Sequence, residues 1–233
     1  MGDALNLVKT AVENENRREI FRTLFDLDQI TADTIFGYGQ EKHKLYDRCM
    51  YARQFGVECS AMRLLIDYDR YAEAHVLIEF LEGKVNFGKF SVLDYGSGAG
   101  DYGVCFGILG SKVTFLDLPE MIVVPKLRCK LLGIGAQYLE PPCPIPSFDL
   151  VIFSEVLEHL EDPLAVLTEC RDRGVKYLWT TAYPYVPVES EYFAKSGHTP
   201  QAHEQVVTCQ KFLADNYVRT TVGKWHLLVL NSA

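Results

Sequence analysis

FSVLDYGSGAGDYGVCFGILGSKVTFLDLPE, residues 90–120, decides how the rest of the chain is read. Its start, Ser91-Val-Leu93, sets branched apolar residues directly before Asp94 and a glycine cluster, which predicts a short buried strand ending in a tight turn. Gly96, Gly98 and Gly100 allow backbone angles and close approaches that a Cβ would forbid. A helix is predicted over residues 101–109, stopped by Gly110, and then a second strand over 112–116 with Asp117 at its tip.

A strand, glycine turn, helix and strand with an acid at the second tip make half of a nucleoside-binding βαβ unit, in which that acid takes the ribose hydroxyls. Gly98-Ala-Gly100-Asp-Tyr-Gly103 also satisfies the dinucleotide fingerprint, so an NAD- or FAD-dependent oxidoreductase stands as the alternative. Asp94 weighs against it, because a pyrophosphate needs a positive helix terminus with no anion beside it. S-adenosylmethionine has no phosphate, and its sulfonium and ammonium are attracted by an acid.

With residues 148–163, FDLVIFSEVLEHLEDP, the stretch resembles the class I S-adenosylmethionine-dependent methyltransferases. VLDYGSGAG (92–100) stands for the first motif of that family, VTFLDL (113–118) for the second, and 148–163 for the fourth strand and the helix after it; the likeness covers residues 89–184 closely. It implies a Rossmann-like, mostly parallel seven-stranded α/β sheet with helices on both faces, a C-terminal antiparallel hairpin and an N-terminal helical cap in which substrate choice is written. It implies S-adenosyl-L-methionine as cofactor. On the matching positions it implies cofactor contacts from Asp94, Tyr95, Gly96, Gly98, Gly100, Asp117 and Leu118, from Glu140 or its neighbour Leu139 after the third strand, and from Ser154 after the fourth.

Composition narrows the class of protein further. With 233 residues, 48% of them apolar, the chain can bury one α/β core plus a helical layer, divided as a cap over 1–84 and a core over 85–233. No apolar run reaches the ~18 residues of a membrane span, and the N-terminus lacks a basic start followed by an apolar stretch, so a cytoplasmic protein without membrane attachment is expected. Seven cysteines without a Cys-x-x-Cys pair argue against a zinc knuckle or a disulfide framework. A net charge of -8 does not favour nucleic acid, which leaves a small-molecule acceptor as the expected partner.

Toward the N-terminus, Leu5, Val8 and Val12, then Ile20, Leu24 and Leu27, recur at helical spacing. Phe36-Gly-Tyr-Gly39 reads as a hinge or as an ordinary loop anchored by its rings, and helices are predicted over 41–55 and 60–81, the second stopped by Gly83. Tyr46, Tyr51, Tyr68, Tyr71, Arg53, Arg63 and Arg70 either cover the helix–sheet seam or line a substrate pocket. Beyond Asp117, a helix over 118–132 should kink or split at Pro125, a third strand covers 136–140, a rigid proline turn 140–146, and a fourth strand 149–153.

Residues 154–162, SEVLEHLED, then predict a helix whose Glu155, Glu158 and His159, at i, i+3 and i+4, share one face at the ligand-binding edge of the sheet. His159 is a candidate general base, oriented by a glutamate, and His159 and Glu155 are the catalytic assignments. The same trio with His198 or His203 resembles the metal-dependent small-RNA 2′-O-methyltransferases, although GHTPQAHEQ (197–205) lacks the aromatic and acidic neighbours of those enzymes, and no metal ligand is assigned. A comparable Glu-His helix occurs in methyltransferases that resemble those of ubiquinone biosynthesis. In a purely structural role Glu155 would cap the helix and His159 would be a wall residue. A helix restarting at Asp162-Pro163 and stopped by Gly174, a fifth strand over 175–181, a loop carrying Tyr183 and Tyr185 as substrate walls, a helix over 205–216 and a hairpin over 217–222 and 224–230 complete the reading.

Overall fold

The computed structural model describes residues 3–13, 70–181, 183–185, 200–222 and 225–231. Strands β1 (Ser91–Tyr95), β2 (Lys112–Leu116), β3 (Ala136–Leu139), β4 (Leu150–Phe153) and β5 (Tyr177–Thr180) run parallel, and β6 (Tyr217–Val222) and β7 (Trp225–Leu230) close the sheet antiparallel. The order β3-β2-β1-β4-β5-β7-β6 puts the reversal of strand order between β1 and β4. Ligands of open α/β sheets bind beyond the strand ends at that reversal. The fold class expected from the sequence is the one observed.

β4 and β5 are buried along their whole length, which is why they read as unbroken apolar runs rather than alternating ones. On one face, Val92, Phe115, Ile152, Trp179 and Leu227 pack under α1 (Asp3–Glu13), α2 (Arg70–Leu81), α3 (Asp101–Ile108) and α4 (Pro119–Leu132). On the other, Leu93, Val151, Phe153, Leu178 and Leu228 pack under α5 (Pro163–Asp172) and α6 (Pro200–Asn216). α2 contributes Leu77, Ile78 and Leu81, all fully buried, each worth roughly 1.5–3 kcal/mol of transfer free energy. Its Glu73 accepts a hydrogen bond from the Tyr102 hydroxyl at 2.7 Å, and that hydroxyl accepts one from Trp179 Nε1 at 3.1 Å, a buried chain linking α2, α3 and β5. The two described helices of the expected cap therefore share the core of the sheet.

Three expectations need correction. α4 runs unbroken through Pro125, whose buried ring packs where a side chain on Gly100 would stand, so packing outweighs the one lost backbone bond. α6 begins at Pro200, five residues before the predicted start, which puts His203 on an exposed helix face instead of in a loop. Residues 154–162 are not an α-helix, and only a 3₁₀ turn, Leu157–His159, forms there. The Phe36–Gly39 segment, Tyr46, Tyr51, Arg53, Arg63, Tyr68 and His198 lie outside the described residues. Among the described residues no helix is long and apolar enough to cross a membrane.

Candidate functional site

A cavity of about 300 Å³ opens at the C-terminal ends of β1, β2 and β4. The last residue of β1 and the turn after it supply Tyr95, Gly96 and Gly98, and the end of β2 supplies Leu116, Asp117 and Leu118. Met121 from α4, Pro141, and Ser154, Glu155, Val156, His159 and Leu160 from the segment after β4 complete the wall. Gly96 has φ 64°, and a Cβ there would run into the Val156 side chain, so the turns after β1 and β4 can meet only through a glycine.

Asp117 organises the β2 side. Its Oδ2 accepts the Gly98 amide at 2.7 Å and its Oδ1 the Leu118 amide at 2.8 Å, which docks the glycine turn onto the tip of β2. A carboxylate has about four acceptor positions, so these two backbone bonds are compatible with a diol on the same group.

Asp94 does not join it. The residue lies inside β1, in register with Phe115 and Ile152, and its buried carboxyl accepts the Gly103 amide at 2.9 Å from the first turn of α3. Burial pushes its pKa up to about 8 against the opposing Gly103 bond, with Asp101 and Asp117 raising it further and Arg128 lowering it. The expected cradle of two acidic strand tips is thus corrected: Asp94 fastens the helix beneath the turn and does not line the cavity. The same bond occupies an amide that a pyrophosphate would need at this helix terminus.

Gly100 is also a scaffold residue. At φ 77° it precedes α3, and a Cβ would come within 2.6 Å of the Pro125 Cβ. Glu140 is exposed, and Pro141 takes the wall position expected of it. Arg128, fully buried on α4, donates to the Ala99 carbonyl and to Asp101 Oδ1 at 2.7 Å, holding the glycine turn from below. Sequence reading missed it. The available signal was a cation one helical turn beyond the buried Val124.

On the β4 side, Ser154, Glu155 and His159 reach the cavity without a helix. Glu155 has φ 56°, the sole non-glycine in the left-handed region among the described residues, a backbone state costing on the order of 1–3 kcal/mol. Its amide donates to Thr181 Oγ1 at 3.1 Å, and that hydroxyl donates back to Glu155 Oε1 at 2.9 Å. Glu155 is therefore not a helix cap. The α-helix waits until Pro163, where Asp162 accepts the Ala165 amide at 3.0 Å and proline stands at the first position.

Glu158 is 1% exposed and is absent from the cavity wall, so the predicted three-residue face is not formed. Tyr183 is buried as well, donating to the Ala202 carbonyl at 2.8 Å, and Tyr185 packs on His226 at 4.3 Å between ring centroids; neither is a cavity wall. Burial, the Cys209 contact and the charge of Glu158 all push the Tyr183 hydroxyl upward. Among the described residues no three His, Cys, Asp or Glu side chains form a group that could hold a metal.

Residues 93–173, the span from within β1 to the end of α5, match the family described as methyltransferase domain. Over that span the chain carries a methyltransferase domain. Its alignment with the ubiquinone biosynthesis O-methyltransferase of Xanthomonas euvesicatoria pv. vesicatoria is 30% identical over 139 residues, 52% of this chain and 57% of the relative. The match thus spans little more than half the length of that curated relative. The chain also superposes on the magnesium protoporphyrin IX methyltransferase of Synechocystis PCC 6803, solved with bound SAH, with a TM-score of 0.50 and 17% identity, over 70% of this chain and 83% of the other. An O-methyltransferase family protein from Burkholderia thailandensis gives a TM-score of 0.50 at 14% identity, over 77% of this chain and 63% of the other. At those identities the likeness is one of fold.

Proposed function

We propose that the chain transfers a methyl group from S-adenosyl-L-methionine to an oxygen atom of a small-molecule acceptor. The observation that carries this reading is the chemistry of the cavity. Its described wall holds two carboxylates, Asp117 and Glu155, the His159 imidazole, two hydroxyls, Tyr95 and Ser154, and otherwise apolar or glycine positions, with no Lys or Arg. Such a wall suits a cationic nucleoside and repels a pyrophosphate, which argues against the dinucleotide alternative. Asp117 fits the ribose diol, and Leu116, Leu118, Met121 and Pro141 offer an apolar slot for a purine ring.

When bound there, the cofactor supplies an electrophilic methyl carbon whose bond to sulfur breaks as the acceptor oxygen takes it. Glu155, on the cavity wall, would balance the positive charge. His159 takes the acceptor's hydroxyl proton at an imidazole nitrogen, and its backbone is set by donation from its own amide to the Val156 carbonyl at 2.8 Å. Much of the rate gain then comes from alignment in a confined cavity. An oxygen acceptor is favoured over nitrogen by the names of the curated relatives. A metal-assisted variant has less support, because Glu158 is turned into the protein.

His159→Ala tests the assignment. Turnover with a phenolic acceptor should fall ~100-fold or more, the usual contribution of a positioned base, with S-adenosylhomocysteine affinity unchanged. Full activity in the variant removes the base.

A further inference from the structure

We propose that Thr181 is the positioning residue that aims the Glu155 carboxylate into the cavity. This rests on the reading of the cavity as the S-adenosylmethionine site and identifies what makes that site discriminate charge. Phe153 and Thr180 are paired in register across β4 and β5, so the residues just beyond the two strand ends lie side by side. There a single hydroxyl, on a residue 5% exposed, closes a ring with Glu155: it accepts the amide hydrogen at 3.1 Å and donates to Oε1 at 2.9 Å. Closing that ring constrains the backbone and every side-chain torsion of Glu155 together.

The ring matters because Glu155 stands in the left-handed region, at φ 56°, where a residue with a Cβ stays only if its surroundings hold it. Thr181 is itself held. Its neighbour Thr180 donates from Oγ1 to the Tyr183 carbonyl at 2.6 Å, and Tyr183 is anchored to the Ala202 carbonyl of α6. The strained turn, the carboxylate and the end of β5 are therefore one unit. Without the hydroxyl the Glu155 amide and one carboxylate oxygen lose this partner, and the segment can relax toward ordinary backbone angles, withdrawing the charge from the cavity.

The test compares binding of S-adenosylmethionine and its product S-adenosylhomocysteine, which lacks the sulfonium charge, by calorimetry, in wild type, Thr181→Val, Thr181→Ser and Glu155→Gln. A positioning role predicts that the ratio of the two affinities falls roughly tenfold in Thr181→Val, the size of one charge contact near a protein surface. Thr181→Ser restores it, and Thr181→Val adds nothing further in the Glu155→Gln background. Loss of affinity for both ligands in equal measure, an unchanged ratio, or a ratio that Thr181→Ser fails to restore overturns the proposal and leaves the cavity reading standing. A wild-type ratio in Glu155→Gln overturns it as well. Wild-type protein that binds neither ligand overturns both readings. If Thr181→Val does not fold, Thr181→Ala carries the same comparison, since it too removes the hydroxyl.

Discussion

The two sides of the cavity are built in opposite ways. On the β1–β2 side the glycine turn is tied down redundantly, by Asp117 to the Gly98 amide, by Asp94 to the Gly103 amide and by Arg128 to the Ala99 carbonyl. On the β4–β5 side the turn that carries Glu155 holds a strained backbone through one hydroxyl. The first arrangement suits a surface that must fit a constant ligand. The second concentrates the control of a charged group in one contact, where a single substitution can change what the site prefers. The difference also teaches that an acid near a ligand site is often scaffold: of Asp94, inside β1, and Asp117, at the tip of β2, only Asp117 reaches the cavity.

The contrast can be strained from either side. Gly100→Ala should give the largest effect on folding, because it adds both a left-handed backbone penalty and a Cβ 2.6 Å from the Pro125 Cβ. A loss of about 3 kcal/mol or more in urea denaturation is expected. A loss below about 1 kcal/mol by the same measurement means that the turn is not held as tightly as the bonding pattern implies.

Asp94→Asn should give a smaller effect, and one that depends on pH. The folded carboxyl keeps its proton to about pH 8, whereas the unfolded one releases it near 3.8. Its contribution to stability is therefore complete below pH 3.8 and is lost as pH rises to about 8. Asparagine accepts the Gly103 bond without that proton, so the variant should gain on wild type by on the order of a few kcal/mol between about pH 5 and about pH 8. Denaturation of both proteins at the two pH values measures it, and parallel pH dependence contradicts the burial argument. Cofactor affinity should stay within a few-fold, since the side chain lies outside the cavity.

The legible part of the chain was the part whose conformation is set locally. α3 and β2 start where strand, turn and cap signals place them, because glycines, branched residues and strand length act within a few positions. The turn after β4 was not legible. Its left-handed residue is held by Thr181, 26 positions away, and no local pattern announces that contact. The restart at Asp162-Pro163 was legible, because Pro163 disfavours helical backbone at Asp162 and suits the first helical position. One signal that was passed over lay in strand parity. Val92 and Asp94 fall on the same face of β1, and Val92 is core, so Asp94 was bound for the α3 face, while Asp117 comes after the last residue of β2 and can reach over the sheet edge. The start of α6 was foreshadowed by Thr199-Pro200, a cap residue followed by the favoured first helical residue.

Calorimetric titration of wild type and Asp117→Ala with S-adenosylhomocysteine is the most direct test of the central claim, that the tip of β2 holds the ribose of a cationic, phosphate-free nucleoside. Loss of the diol contacts together with the clasp on Gly98 should weaken binding by ~100-fold, about two charge-assisted hydrogen bonds. Equal affinity in the two proteins would contradict it.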